Sequence, residues 1–135
     1  MNTDRKIRCL LGMLGTDVHT KGIRTLAQML RDDGIEVIYL GEHNTVEGMV
    51  NAVIQEDADV VGISFSIATY LHYAKQLVDT MRAQGVGDIP VMVGGLVHPD
   101  DHEKLRDIGV SGIFGPGSTT PEILAYIRQA APSAA

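Results

Sequence analysis

The segment with the most distinctive chemistry is Gly15-Thr16-Asp17-Val18-His19-Thr20-Lys21-Gly22, which sets an acid two residues before a histidine and a glycine three residues after it. A loop imidazole can turn one ring nitrogen to a metal while the other donates its proton to a carboxylate, which fixes the tautomer and raises ligand basicity. Asp17 is spaced for the orienting role and His19 for ligation. The same spacing suits a plainer arrangement, with Asp17 capping a following helix and His19 exposed in the loop. Taken alone, Asp-X-His favours the plainer arrangement.

Three other segments carry small or hydroxyl-bearing residues. Gly62-Ile63-Ser64-Phe65-Ser66 ends an apolar run, and a serine there can hydrogen-bond a heteroaromatic nitrogen inside an otherwise apolar slot. Gly94-Gly95 lets a bulky ligand approach the backbone, or is an ordinary turn. Gly115-Pro116-Gly117-Ser118-Thr119-Thr120 leads into a helix and can offer backbone N–H groups to a phosphate, or is a simple connector.

What would bring these segments together is an alternation of short apolar runs with stretches of helical period, the pattern of a parallel sheet covered by helices. The expected strands are Ile7 to Leu14, Glu36 to Leu40, Asp59 to Ser64, Pro90 to Val93 and Gly112 to Phe114. Helices are expected from Lys21 to Asp33, stopped by Gly34; from a capping box with Asn44 as N-cap and Glu47 three residues on; around Leu71, Ala74, Leu77, Val78 and Met81; from Pro99 to Ile108; and from Thr120, with Pro121 in its first turn. Inward faces are read as Ile23, Leu26, Ala27 and Leu30 in the first helix and Val46, Met49, Val50, Val53 and Ile54 in the second. In the last helix they are Ile123, Leu124 and Ile127. Methionines at helical spacing are read as core fill. Five such units with right-handed crossovers predict a doubly wound, flavodoxin-like α/β fold of strand order 2-1-3-4-5, in one domain spanning residues 1–135 with a frayed tail from Ala131. Ligands of such sheets bind beyond the carboxyl ends of the strands, near the reversal between strands one and three, which is where the four segments fall.

Composition narrows the function classes. Of 135 residues, 44% are hydrophobic and 21% charged, with a mean hydropathy of +0.07 and no apolar stretch approaching a membrane span. Met1 to Lys6 lacks the layout of a secretory signal, so a cytoplasmic chain is expected. A net charge of -6, with scattered Lys and Arg, speaks against nucleic acid. The single cysteine, Cys9, lies in an apolar run and reads as structural. His43, His72, His98 and His102 lack ligand-like spacing, His98 being nearest to a site segment. Lys21 and Arg24 read as solvated or partner-facing.

Jointly, Asp17-X-His19-X-X-Gly22, Ser64-X-Ser66, Gly94-Gly95 and Gly115-Pro116-Gly117-Ser118 resemble the B12-binding domain of adenosylcobalamin-dependent mutases, over nearly the whole chain. The resemblance is nearest to the acyl-CoA branch, the methylmalonyl-CoA and 2-hydroxyisobutyryl-CoA mutases, in Leu30 to Tyr39 and Ile113 to Gly117. It implies that cobalamin binds with its dimethylbenzimidazole tail withdrawn from cobalt and buried in the domain. His19 would take the vacated axial position, oriented by Asp17, within a cofactor loop of Thr16, Asp17, Val18, His19 and Gly22. Ser64 and Ser66 would lie at the tail base, Gly94 and Gly95 would make room for it, and Gly115, Gly117 and Ser118 would line the nucleotide. Three positions depart from the family pattern: Ser66 stands for a leucine, Met13 for a lysine common in acyl-CoA mutases, and Tyr70 for a histidine.

The function implied is that of the cofactor subunit of a carbon-skeleton mutase, an isomerase inactive alone. A separate barrel subunit would bind the acyl-CoA, and Co–C homolysis would supply the radical. Other users of the fold are methylcobalamin carriers, which place a helical cap before the domain where this chain starts its first strand within ten residues. Cobalamin-dependent regulators would add an output or cap domain. A phospho-receiver needs an aspartate at the end of strand three, where Ser64 stands.

Overall fold

A computed structural model describes residues 6–15, 21–115 and 117–131. Along the chain run β1 (Arg8–Leu14), α1 (Lys21–Asp32), β2 (Glu36–Asn44), α2 (Val46–Gln55), β3 (Val60–Phe65), α3 (Tyr70–Ala83), β4 (Val91–Gly95), a 3-10 turn (Pro99–Asp101), α4 (His102–Ile108), β5 (Gly112–Phe114) and α5 (Thr120–Ala130). All strand pairs are parallel and the order is β2-β1-β3-β4-β5, as expected from the alternation.

Strand periodicity sorts the core into two layers. Leu10, Val61, Ile63, Phe65, Val91 and Val93 pack against Val46, Met49 and Val50 of α2 and Ala74, Leu77 and Met81 of α3. Their neighbours Cys9, Leu11, Met13, Val60 and Met92 point the other way, onto Ile23, Ala27 and Leu30 of α1 and Ile127 of α5. Cys9 is fully buried in this second layer, consistent with a structural role.

Four local expectations need correction. The N-cap of α2 is Thr45, whose hydroxyl accepts from Gly48 N at 3.0 Å; Asn44 instead ends β2, which runs four residues past Leu40. The capping box lies at α5, where Thr119 and Glu122 exchange side-chain and backbone bonds. Ile54, one residue beyond the buried Val53 and so rotated off the packed stripe, is 44% exposed. Gly94 and Gly95, for which an ordinary turn was the plainer alternative, finish β4 as its last two residues, paired with Ser64 and Phe65.

Candidate functional site

The layer under α1 and α5 is filled at the amino ends of the strands and hollow toward their carboxyl ends. Positions facing it there are Gly62 and Ser64 on β3 and Gly94 on β4, so almost no side chain rises from the sheet. The hollow is a cavity of about 300 Å³ floored by these residues with Leu11 and Met92. Gly22, Ile23, Thr25, Leu26 and Met29 of α1 form one wall. Phe114, Gly115, Ser118, Thr120 and Ile123 form the other.

The fold therefore brings Gly22, Ser64, Gly94, Gly95, Gly115 and Ser118 to one cavity, six of the residues expected from sequence. Ser66 is separated from them. It follows the end of β3, and lines a shallower groove with Ile67, Tyr70, Leu96 and His98 on the other side of the sheet edge. Gly117 is not among the cavity residues. Thr16, Asp17, Val18 and His19 lie outside the described residues, as does Pro116.

The chemistry of the cavity is apolar with hydroxyl accents. Among its described lining residues none is ionisable; polar side chains are those of Thr25, Ser64, Ser118 and Thr120. Thr120 Oγ1 donates to Met29 Sδ at 3.3 Å and bridges α5 to α1 beside the cavity. Met29, read from its spacing as core, is 43% exposed at this wall. Its helical phase carries no signal that would separate cavity wall from core; only the missing side chains beneath it do so.

Two of the glycines are glycine for different reasons. Gly95 has φ +93°, and a Cβ there would overlap the Phe65 carbonyl oxygen, so its absence of a side chain serves the fold before any ligand. Gly62 differs: a Cβ would meet Leu11 Cδ2 at 2.6 Å and Met92 Cε at 2.7 Å, the movable ends of two floor side chains. At the entry to α5 several backbone donors are already used. Ser118 N donates to Gly115 O at 3.0 Å, Thr119 N to Glu122 Oε2 and Glu122 N to Thr119 Oγ1. The Glu122 carboxylate also occupies the positive end of the helix, so this loop serves the cavity more as a wall than as an anion cradle.

In the second groove, Tyr70 at the start of α3 donates its hydroxyl to Asp101 Oδ2 and accepts from His98 N at 3.1 Å. The tie to Asp101 holds the Tyr70 phenol above its ordinary pKa, and the same bond, with Lys104 nearby, holds the Asp101 carboxyl below its own. His98, nearest of the remaining histidines to a site segment, is occupied locally: its Nδ1 accepts from Asp100 N at 3.1 Å.

A concave, mostly apolar slot with a few hydroxyls at the carboxyl edge of a doubly wound sheet is the form of a small-ligand site. The family model of the B12 binding domain matches residues 7–125. The chain belongs to the B12-binding domain family. Among curated members of this family, it is 41% identical over 120 residues to the pivalyl-CoA mutase small subunit of Xanthobacter autotrophicus, covering 89% of this chain and 80% of that one. To the 2-hydroxyisobutanoyl-CoA mutase small subunit of Aquincola tertiaricarbonis it is 36% identical, covering 90% of each chain. A cobalamin-binding protein from Desulfitobacterium hafniense shares the fold with a TM-score of 0.81 at 21% identity, over 95% of this chain and 60% of that one. The slot, between two helices and over a floor almost without side chains, has the shape and apolar lining to take a planar, largely apolar group. No helix among the described residues is long and apolar enough to cross a membrane.

Proposed function

We propose that this chain is the cobalamin-binding small subunit of an adenosylcobalamin-dependent acyl-CoA mutase, a single cytoplasmic domain working with a separate, barrel-shaped large subunit. The observation that carries this reading is the slot over Gly62, Ser64 and Gly94, in a chain of this family that resembles two acyl-CoA mutase small subunits over most of its length.

The base-bearing tail of cobalamin would lie in the slot. Ser64 would donate to a ring nitrogen, and Leu11, Leu26, Met29, Met92 and Phe114 would exclude water around it. Gly115, Gly117 and Ser118 would follow the nucleotide outward. His19 would hold cobalt, with Asp17 on its other ring nitrogen and Thr16 and Val18 shaping the loop around it. Bound cobalamin supplies a cobalt–carbon bond that breaks homolytically, the radical source of a carbon-skeleton rearrangement. No charged side chain lines the slot among its described residues, so it holds no countercharge for the phosphates of coenzyme A, and substrate binding would fall to the partner.

The test is reconstitution. The chain, adenosylcobalamin and its co-purifying large subunit should together isomerise an acyl-CoA, whereas either chain alone should not, and His19→Ala should abolish turnover. Methyl transfer without isomerisation would overturn the mutase assignment in favour of a methyl carrier.

A further inference from the structure

We propose that Asn44 is a positioning residue for the cobalt-ligand loop, fixing the point at which the chain leaves β1 on its way to Asp17 and His19. The proposal rests on the reading of His19 given above.

Gly15, the first residue after β1, donates its N–H to Asn44 O at 3.0 Å. The side chain of the same asparagine reaches back: Nδ2 lies 2.9 Å from Met13 O, 2.9 Å from Gly41 O and 3.4 Å from Leu40 O. An amide NH₂ has two protons, which Met13 and Gly41 take at the better distances. One residue of β2 thus holds the last turn of β1 through both its backbone and its side chain.

The Gly15 bond belongs to the parallel pairing of Leu14 with Asn44, but the side-chain bonds of Asn44 are outside any ladder. The β1 to β2 register slips between Leu11 and Gly12 and again between Gly12 and Leu14. Over the same stretch β2 curls, with Gly41 at φ +68° and His43 at φ +65°. A histidine in the left-handed region is a strained backbone that neighbouring contacts must maintain, and such strain gathers at functional sites. The curl carries the Asn44 amide over Gly12, where a Cβ would lie 3.3 Å from Nδ2.

The exit is held from the other side as well. Gly15 has φ +67°, and a side chain there would overlap the hydroxyl of Tyr73 on α3. The start of the loop is therefore seated between the end of β2 and the face of α3. Helix capping does not account for Asn44, because Thr45 caps α2.

The experiment uses the full chain with 15N-labelled histidine, loaded with cob(II)alamin, in wild type, Asn44→Asp, Asn44→Ser and His19→Ala. Asn44→Asp keeps the shape of the side chain and removes both donors; Asn44→Ser is the milder step. Electron paramagnetic resonance reads histidine nitrogen on cobalt, NMR reads exchange of the Gly15 amide, and titration reads total cobalamin affinity. The expected result is faster Gly15 exchange and an about five- to thirty-fold shift from histidine-bound to histidine-free cobalt, the scale of losing one or two kcal/mol of tie. Because histidine-free cobalamin still binds through its tail, total affinity should fall by less than that same factor. Loss of the histidine signal in His19→Ala with its retention in both Asn44 variants would overturn the proposal while leaving the ligand reading standing. A spectrum unchanged by His19→Ala would remove both. If neither Asn44 variant folds by circular dichroism, Asn44 is a residue of the fold at large, and the positioning role fails.

Discussion

Replacing Ser64 by leucine puts an isobutyl group into the slot at the point where the sheet offers least. Gly62 and Gly94 flank this position, and the cavity of about 300 Å³ is at the small end of ligand sites, so the added carbons compete directly with a bound base. A bicyclic aromatic base buries about as much as an aromatic side chain, roughly 200 Å². At about 25 cal/mol per Å² that is on the order of 5 kcal/mol. Ordering of the tail and the slot residues offsets part of it, leaving a net contribution of roughly 3 kcal/mol, about a hundredfold in affinity. The assay is paired titration of wild type and Ser64→Leu with cobalamin and with cobinamide, which lacks the nucleotide tail. Cobalamin affinity should fall about a hundredfold. Cobinamide affinity should not change, and thermal stability should hold or rise, because the new side chain meets Leu11, Met92 and Ile123. Equal losses for both corrinoids, or no loss for cobalamin, would refute the placement of the tail in this slot.

Cys9 should resist an aromatic disulfide reagent in the native protein at pH 8 and react once unfolded, since burial pushes its thiol from 9.0 up to about 12. Because the folded value is the higher one, the stability this adds is fully present below pH 9.0 and is lost as pH rises toward about 12, which alkaline denaturation would detect as a loss absent from Cys9→Ala. Tyr70→Phe should flatten stability profiles at both pH extremes. The depressed Asp101 carboxyl stabilises above the ordinary carboxylate range and ceases to as pH falls through its folded value, while the raised Tyr70 phenol stabilises below the ordinary tyrosine pKa and ceases to as pH rises through its own. Gly95→Ala should cost about 3 kcal/mol or more in urea denaturation, from a left-handed backbone and overlap with the Phe65 carbonyl.

The sheet was legible from sequence because its strands are buried on both faces and short, so their apolar runs stand out from the helical period around them. The edge strand β2 was read short because Gly41-Glu42-His43-Asn44 has the composition of a loop; that it stays paired depends on contacts with β1 that no local pattern encodes. The same ambiguity displaced one residue of the α2 cap, since Asn44 and Thr45 are both good caps and the side chain of Asn44 is drawn to β1 instead. At α5 the Thr119 and Glu122 spacing was a readable capping box, visible once the helix start is fixed at Thr120.

The site was legible to the extent that it is made of strand ends. Ser64 and Gly94 could be placed at one edge because parallel strands must finish there, whereas the groove that Ser66 lines could not be read, because beyond Phe65 the chain no longer alternates. Met29 was missed because a methionine at the edge of the apolar stripe of α1 reads as core, and Thr120 because a hydroxyl at a helix start reads as local capping. The fold itself could not have assigned the chemistry, since one sheet order hosts unrelated functions. A phospho-receiver would carry an acid where β3 ends. Here that position is Ser64, above a floor emptied at Gly62 and Gly94, and an emptied floor is of use to a protein that must take in a ligand as deep as the sheet.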